Sequence, residues 1–336
     1  MEESYICNLC PRSCNVDRMA GKIGYCGQAY EVVASRAALH MWEEPCISGE
    51  RGSGTVFFSG CPLRCVYCQN HSIALGKVGK TISVEELTQI YLRLEKKGAN
   101  NINLVTPTHF VEPIIRSLRE ARTKGLNIPV VYNTGTYENV ETIKRLEGHV
   151  QVYLPDLKYF DSDIAGRYSK APDYFKVATA AISEMVRQRG KAVFAGATTD
   201  TSHVVRDMND VIGAGGRNAS TSVSGCIGEG HVEEGIMLSG VIVRHLLLPG
   251  GLEDSKKVIK YLYETYGDEI YISIMNQYTP MKDNLRMYPE LNRTVTEAEY
   301  DELVDYAIEL GVENGFIQEG ETAKESFIPE FNMEGI

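Results

Sequence analysis

From residue 54 onward, short apolar runs alternate with apolar residues at helical spacing. Thr55-Val56-Phe57-Phe58 is a compact apolar run ending near Gly60 and predicts a strand. Ser83 and Glu86 form a capping box. Val84, Leu87, Ile90 and Leu94 follow at helical spacing and Gly98 supplies a stop, so a helix is predicted. The pattern continues with a strand over 101–105, a helix over 111–124 stopped by Gly125, a strand over 129–132 and a short helix near 139–147. Further on it predicts a strand over 150–154, a helix over 173–189, a strand over 240–248, a helix over 252–266 and a strand over 269–275. A last helix over 296–310 carries its own capping box, Thr296 with Glu299.

Repeated strand–helix units imply parallel strands joined by right-handed crossovers. Val241-Ile242-Val243 is apolar on both faces, as a doubly covered sheet requires. About six such units predict an α/β fold, a partial (β/α)6 barrel of the TIM type. A doubly wound sheet fits the same pattern, and both architectures place ligands at the C-terminal ends of the strands. Residues 1–50 read as an irregular, cysteine-rich metal-binding segment, and residues 51–336 as the barrel with its C-terminal helix. Residues 196–231 are rich in Gly, Ser and Thr and lack aromatics, which predicts a flexible surface insertion or, alternatively, a lid. Gly213-Ala214-Gly215-Gly216 does not complete a dinucleotide fingerprint, because Asn218 stands where the third Gly belongs.

Composition narrows the function. With 43% hydrophobic and 24% charged residues in 336, the chain can bury a large core. Lys and Arg number 34 against 45 Asp and Glu, a net charge of −11, which argues against nucleic acid as a partner. No apolar run approaches the ~18 residues of a membrane span, and the acidic Met1-Glu2-Glu3-Ser4 start lacks a signal-peptide core. The expectation is a cytoplasmic protein without membrane association. Nine cysteines are unusual there, and clustered cytosolic cysteines bind metal or do chemistry.

Cys61, Cys65 and Cys68 form a C-x3-C-x2-C loop directly after a predicted strand. Three thiolates on one loop reach three corners of a four-iron cluster and leave one iron open to a ligand. The competing reading is a three-cysteine zinc site completed by His71. Cys7, Cys10, Cys14 and Cys26 form a second group at ligand spacing, suited to structural zinc or to a second, fully ligated iron–sulfur cluster. Cys46 reads as a buried inert thiol, and Cys226 carries no assignment.

Cys61-Pro62-Leu63-Arg64-Cys65-Val66-Tyr67-Cys68, followed by Gln69-Asn70, resembles the radical S-adenosylmethionine superfamily. The run from Gly54 to Asn70 is most similar to the pyruvate formate-lyase activating enzyme-like family. The N-terminal Cys7-to-Cys14 stretch, Asp156-Leu157-Lys158-Tyr159 and Met275-to-Pro280 share the resemblance, and residues 196–231 depart from it. The resemblance implies that Cys61, Cys65 and Cys68 hold a [4Fe-4S] cluster whose open iron chelates S-adenosyl-L-methionine. One electron then cleaves the sulfonium, and a 5′-deoxyadenosyl radical abstracts hydrogen from a substrate. Tyr67 is expected to pack over the cluster or the adenine.

Other positions carry over from the same resemblance. Thr106-Pro107-Thr108 stands where the superfamily has Gly-Gly-Glu, so carbonyls or hydroxyls of Thr106 and Thr108 replace the carboxylate. Asn133 and Thr134, Asp156 and Lys158, Arg244 and Gln277 lie at later strand ends and are expected around the cofactor, in part through a bound cation. Each has a plainer reading, as a surface ion pair for Asp156 and Lys158, a helix-carboxylate pair for Arg244, and turn residues for the threonines. His245, among apolar neighbours, reads as a core histidine, while His40 and His109 are undecided.

The expected function is therefore an iron–sulfur oxidoreductase that cleaves S-adenosylmethionine, with flavodoxin or ferredoxin as reductant. A glycyl-radical enzyme is the expected polypeptide substrate; the alternative is a small molecule or another protein. A ferredoxin-like carrier or zinc-stabilised binding protein is the rival without catalysis. It leaves the strand-end polar residues unexplained.

Overall fold

The computed structural model describes residues 5–196, 206–207, 233–281, 285–318 and 329–336. Its strands are β1 (Val32–His40), β2 (Ser53–Phe58), β3 (Lys80–Ile82), β4 (Ile102–Val105), β5 (Val130–Thr134), β6 (Val152–Pro155), β7 (Val193–Phe194), β8 (Arg206–Asp207), β9 (Met237–Leu246), β10 (Tyr271–Met275) and β11 (Gly315–Ile317). The helices are α1 (Pro45–Ser48), α2 (His71–Ala74), α3 (Val84–Lys96), α4 (Val111–Thr123), α5 (Val140–Lys144), α6 (Ser162–Ser169), α7 (Tyr174–Arg189), α8 (Leu252–Tyr266) and α9 (Glu297–Leu310).

Six strands, β2-β4-β5-β6-β9-β10, run parallel in that order, each joined to the next by a helical crossover. β11 adds in parallel beyond β10, and β1 pairs antiparallel with both β2 and β3. Alternate residues of each strand face opposite ways. Val56, Ile102, Leu104, Val130, Tyr153, Val243 and Ile272 pack outward against Leu87 and Ile90 of α3, Ile114 of α4, Ile182 of α7 and Leu262 of α8. Val131, Val152, Leu154 and Ile242 face inward, where Cys46 and Ile47 of α1 pack against them. Full burial of one such aliphatic side chain stabilises by about 1.5–3 kcal/mol. The sheet is curled, because Glu43 alone bonds residues of β4, β5 and β9. A flat doubly wound sheet would keep those side chains apart. This is the partial (β/α)6 barrel.

Both expected capping boxes form. Ser83 Oγ accepts from Glu86 N at 3.0 Å while Glu86 accepts from Ser83 N at 2.7 Å, and Thr296 with Glu299 repeats the arrangement. Two elements depart from the sequence pattern. Val32–His40 is a nine-residue strand inside the segment expected to be irregular. A register shift between Ala34 and Arg36 breaks its alternation, and its three alanines carry little strand propensity. Ser162–Ser169 is a helix capped by Asp161, too short for a periodic signal. The expected insertion over 196–231, with Cys226, falls outside the described residues except for Gly196 and β8.

Candidate active site

The loop after β2 carries Cys61, Cys65 and Cys68 at the C-terminal end of the barrel strand. Gly60, with φ +92°, makes the turn possible, since a Cβ there would lie 2.6 Å from the Cys26 carbonyl and 2.6 Å from Gln28 Cγ. Arg64 also takes a left-handed backbone, φ 54°, between the first two cysteines. The three sulfurs act on one another. Burial and then Cys65 push the Cys61 thiol up to about 11, and burial, Cys61 and Cys65 push Cys68 higher still. Without metal the Cys61 and Cys68 thiols stay protonated at neutral pH; a bound metal displaces the protons. The Leu63 amide donates to Cys61 Sγ at 3.4 Å and the Ser169 hydroxyl to Cys65 Sγ at 3.0 Å.

Lys158 faces this loop. Its ammonium favours the thiolates of Cys61 and Cys68, and Cys65 in turn favours the ammonium. Lys158 Nζ bonds Asp156 Oδ2 at 2.6 Å, and Arg244 Nε bonds Asp156 Oδ1 at 2.9 Å. Arg244 reaches further, to Asn133 Oδ1 at 2.6 Å and to Glu43 Oε2 at 3.1 Å. Glu43 Oε1 also accepts from Asn103 and Asn133. Asp156 is buried, which alone would raise its pKa, but Arg244 and Lys158 outweigh that and hold it below the usual aspartate value. Lys158 is raised, as Asp156 and Cys65 outweigh its burial. For Glu43 burial wins over Arg244 and its carboxyl is raised; Glu44 behaves alike. The expected strand-end residues Asn133, Asp156, Lys158 and Arg244 therefore form one connected network beside the cysteine loop, not separate surface pairs.

The remaining expected residues are placed differently. Thr108 and Thr134 turn their hydroxyls to Glu138, which Tyr132 also bonds, all inside the protein. Thr106 sits at the end of β4 with φ 57°, and its amide donates to the Asn133 carbonyl at 2.8 Å. The Gln277 carbonyl accepts from Gln69 Nε2 at 2.6 Å, tying the cysteine loop to the end of β10. Tyr67 lies edge-on to Tyr159 and Tyr168, and its hydroxyl bonds that of Tyr159 at 2.7 Å. Tyr159 in turn meets Ser169 Oγ at 2.7 Å, so this tyrosine pair leads to the Cys65 sulfur. His245 bonds the Leu157 carbonyl and Ser255, a core role. His71 feels burial and Lys77, with no cysteine among the groups that shift it.

Sequence reasoning missed Glu43, Glu44 and Ser169. The two carboxylates before Pro45 were a visible signal, but nothing local says that they enter the barrel. Asn103 Oδ1 is buried and has no hydrogen-bond partner among the described residues. Buried polar atoms are normally satisfied, so the barrel interior is chemically suited to a polar ligand or ordered water. Among the described residues, no three His, Cys, Asp or Glu side chains converge as ligands of a single metal ion. Three soft thiols spread over a loop, with an ammonium facing them, do suit an anionic multinuclear iron–sulfur cluster.

Residues 55–211 match the model of the Radical SAM superfamily. That match spans 157 of the 336 residues. An uncharacterized protein of Methanocaldococcus jannaschii is 26% identical over 311 residues, 90% of this chain and 74% of that protein. The pyruvate formate-lyase-activating enzyme of Clostridium pasteurianum is 27% identical over 166 residues, 47% of this chain and 68% of the enzyme. Among solved structures, Streptococcus suis SuiB bound to S-adenosylmethionine aligns with a TM-score of 0.45 at 12% identity, over 77% of this chain and 48% of SuiB. A domain of pyruvate-formate lyase-activating enzyme from Bacteroides vulgatus aligns at 0.35 and 13%, over 62% of this chain and 94% of the domain. The chain thus spans about half the length of SuiB.

Proposed function

We propose that this protein cleaves S-adenosylmethionine reductively and uses the 5′-deoxyadenosyl radical to abstract hydrogen from a polypeptide, a glycyl-radical enzyme being the favoured substrate. Cys61, Cys65 and Cys68 would hold a [4Fe-4S] cluster, which when bound supplies the electron and the open iron that this chemistry needs. The observation that carries the reading is the convergence of the three-thiol loop with Lys158, Asp156 and Arg244 at one end of the barrel. Lys158 offers an ammonium to a ligand carboxylate, and the Asp156–Arg244–Glu43 chain fixes its position. The tyrosines around Tyr67 pack beside Cys65, the buried member of the three, and would help keep water from a primary radical.

The polypeptide substrate is supported by the sequence match to the Clostridium pasteurianum activating enzyme. In this reading a flavodoxin or ferredoxin supplies electrons, the N-terminal cysteines form a second metal site, and the protein works in the cytoplasm. No helix among the described residues is long and apolar enough to cross a membrane. The test is anaerobic reconstitution and incubation with each candidate protein substrate under S-adenosylmethionine and dithionite. Appearance of a glycyl-radical electron paramagnetic resonance signal supports the substrate assignment. 5′-Deoxyadenosine release that no polypeptide stimulates counts against it.

A further inference from the structure

β3 pairs with the outer edge of β1 at Val32, Val33 and Ala34. Past that point residues 329–336 lie along the same edge. The Met333 amide donates to the Ser35 carbonyl at 3.0 Å, and the Ala37 amide donates to the Glu334 carbonyl at 2.8 Å. Phe331 meets Phe57 edge-on, with ring centroids 5.4 Å apart, and packs against the cluster of Phe57, Ile73 and Val105. Arg36 Nη2 holds Glu334 Oε2 at 2.7 Å. Gly335 sits so close to β1 that a Cβ on it would collide with the Ala37 carbonyl.

This seat lies at the end of the barrel that carries the cysteine loop. Phe57 and Val105 are register partners and face inward, since Val56 and Leu104 face outward. Ile73 follows the loop, and its carbonyl accepts from the amide of Gly60, the residue before Cys61, at 2.7 Å. With Phe331 in place, Phe57, Ile73 and Val105 are buried. The segment itself is lightly held. Phe331 and Ile336 are its half-buried apolar anchors, while Glu330, Asn332, Met333 and Gly335 are open to solvent. The Glu334 side chain is 52% exposed, so its pair with Arg36 contributes little. A segment with few buried apolar contacts and exposed hydrogen bonds opens locally at low cost. Opening would bare an apolar patch, two backbone groups of a sheet edge and the Arg36 guanidinium, all beside the cysteine loop.

We propose that this edge of β1 is the docking seat of the polypeptide substrate, and that residues 329–336 fill it as an intramolecular competitor. The occupant is an extended segment with an aromatic residue and, three positions on, a carboxylate. Its backbone adds to the sheet at Ser35 and Ala37, its ring takes the place of Phe331, and its carboxylate pairs with Arg36. Backbone bonds give affinity for an extended chain, and the two side-chain positions give selectivity. Residues 329–336 have this pattern themselves and show that it fits. The choice of a substrate polypeptide rests on the radical reading; the seat and its competitor do not.

The test uses the reconstituted full chain and a fluorescein-labelled peptide of residues 329–336, read by fluorescence anisotropy. A filled seat lowers apparent affinity, so the peptide should bind the Phe331→Ala chain at least about tenfold more tightly than the unmutated chain. If Phe331→Ala does not fold, Glu334→Arg, repelled by Arg36, replaces it with the same expectation. A second peptide keeps only a Phe and, three positions on, a Glu in a Ser/Ala background. It should bind the opened chain within about tenfold of the first, and adding Arg36→Gln should weaken both. Equal binding to the opened and unmutated chains, or binding to neither, overturns the proposal. Binding of the first peptide without the second makes the segment an intrachain clasp and overturns it too. A dimer of the opened chain in sedimentation assigns the seat to a second copy, with the same consequence. 5′-Deoxyadenosine release is assayed separately. Peptide binding without release upholds the seat while the radical reading fails, and release without peptide binding does the reverse.

Discussion

Arg244 Nη1 lies 3.1 Å from Glu43 Oε2, an ion pair that joins barrel strand β9 to the segment before α1, 201 residues earlier. Both side chains are largely buried, at 14% and 8% exposure, and Arg244 holds Asp156 through its other edge. Removing Glu43 leaves the buried Arg244 with Asp156 as its remaining carboxylate partner and strips Asn103 and Asn133 of a shared acceptor. Glu43→Ala is expected to cost about 1–3 kcal/mol in urea unfolding. It should also weaken S-adenosylmethionine binding by equilibrium dialysis, because Asp156 and Lys158 lose their anchor. Glu43→Gln keeps hydrogen-bonding capacity and should fall between. Unfolding midpoints equal to those of the unmutated chain would refute the assignment.

Ser169 touches the three-cysteine loop through its hydroxyl, which donates to Cys65 Sγ at 3.0 Å. A donor to a ligating sulfur stabilises the reduced, more negative cluster. Ser169→Ala should therefore lower the reduction potential of the catalytic centre while leaving its iron content intact. A redox titration followed by electron paramagnetic resonance reads the shift, and a rise in potential would contradict this role.

Gly60 and Gly98 have nearly the same backbone angle, φ +92° and +91°, yet very different surroundings. Gly98 has nothing within 4 Å of an added Cβ, so Gly98→Ala should cost only the left-handed backbone penalty, about 1–2 kcal/mol. Gly60→Ala adds a collision with the Cys26 carbonyl at 2.6 Å. It should be clearly more destabilising and should reduce iron uptake. Equal thermal midpoints for the two variants would show that the contact yields freely.

Two buried histidines, His109 and His245, and the half-buried His40 make the fold sensitive to acid. Burial lowers His245 and His40 from 6.5 to about 4, and His109 to about 3. An unfolded histidine binds its proton near pH 6.5, so the unfolded state gains protons first as the pH falls. Stability should be full above pH 6.5 and decline progressively toward pH 4, by about 3 kcal/mol for His245. His245→Gln preserves a donor and an acceptor for Leu157 and Ser255 without titrating. Its urea midpoint should change less between pH 7 and pH 5 than that of the unmutated chain, and an identical slope would rule out His245 as a source.

The legible parts of this protein are those where chemistry is local. The six parallel strands showed as apolar runs separated by helix-spaced segments, and α3 and α9 announced their starts through side chains three residues apart. The cysteine spacings were visible for the same reason. Val32–His40 stayed hidden because its bulge near Ala34 cancels the alternation that marks a strand. Glu43 and Ser169 stayed hidden because their partners, Arg244 and Cys65, are brought to them only by barrel curvature and by the return of α6. Thr108 and Thr134 were legible as strand-end hydroxyls, yet Glu138, four residues after Thr134 and 30 after Thr108, draws both inward.

The most direct test of the central claim is release of 5′-deoxyadenosine from S-adenosylmethionine by the anaerobically reconstituted, dithionite-reduced protein, beside the Cys61/Cys65/Cys68 triple-alanine variant. Equal amounts of 5′-deoxyadenosine and methionine are expected from the unmutated chain, and none above background from the variant. A folded, iron-loaded protein that releases no more 5′-deoxyadenosine than the triple variant would contradict it.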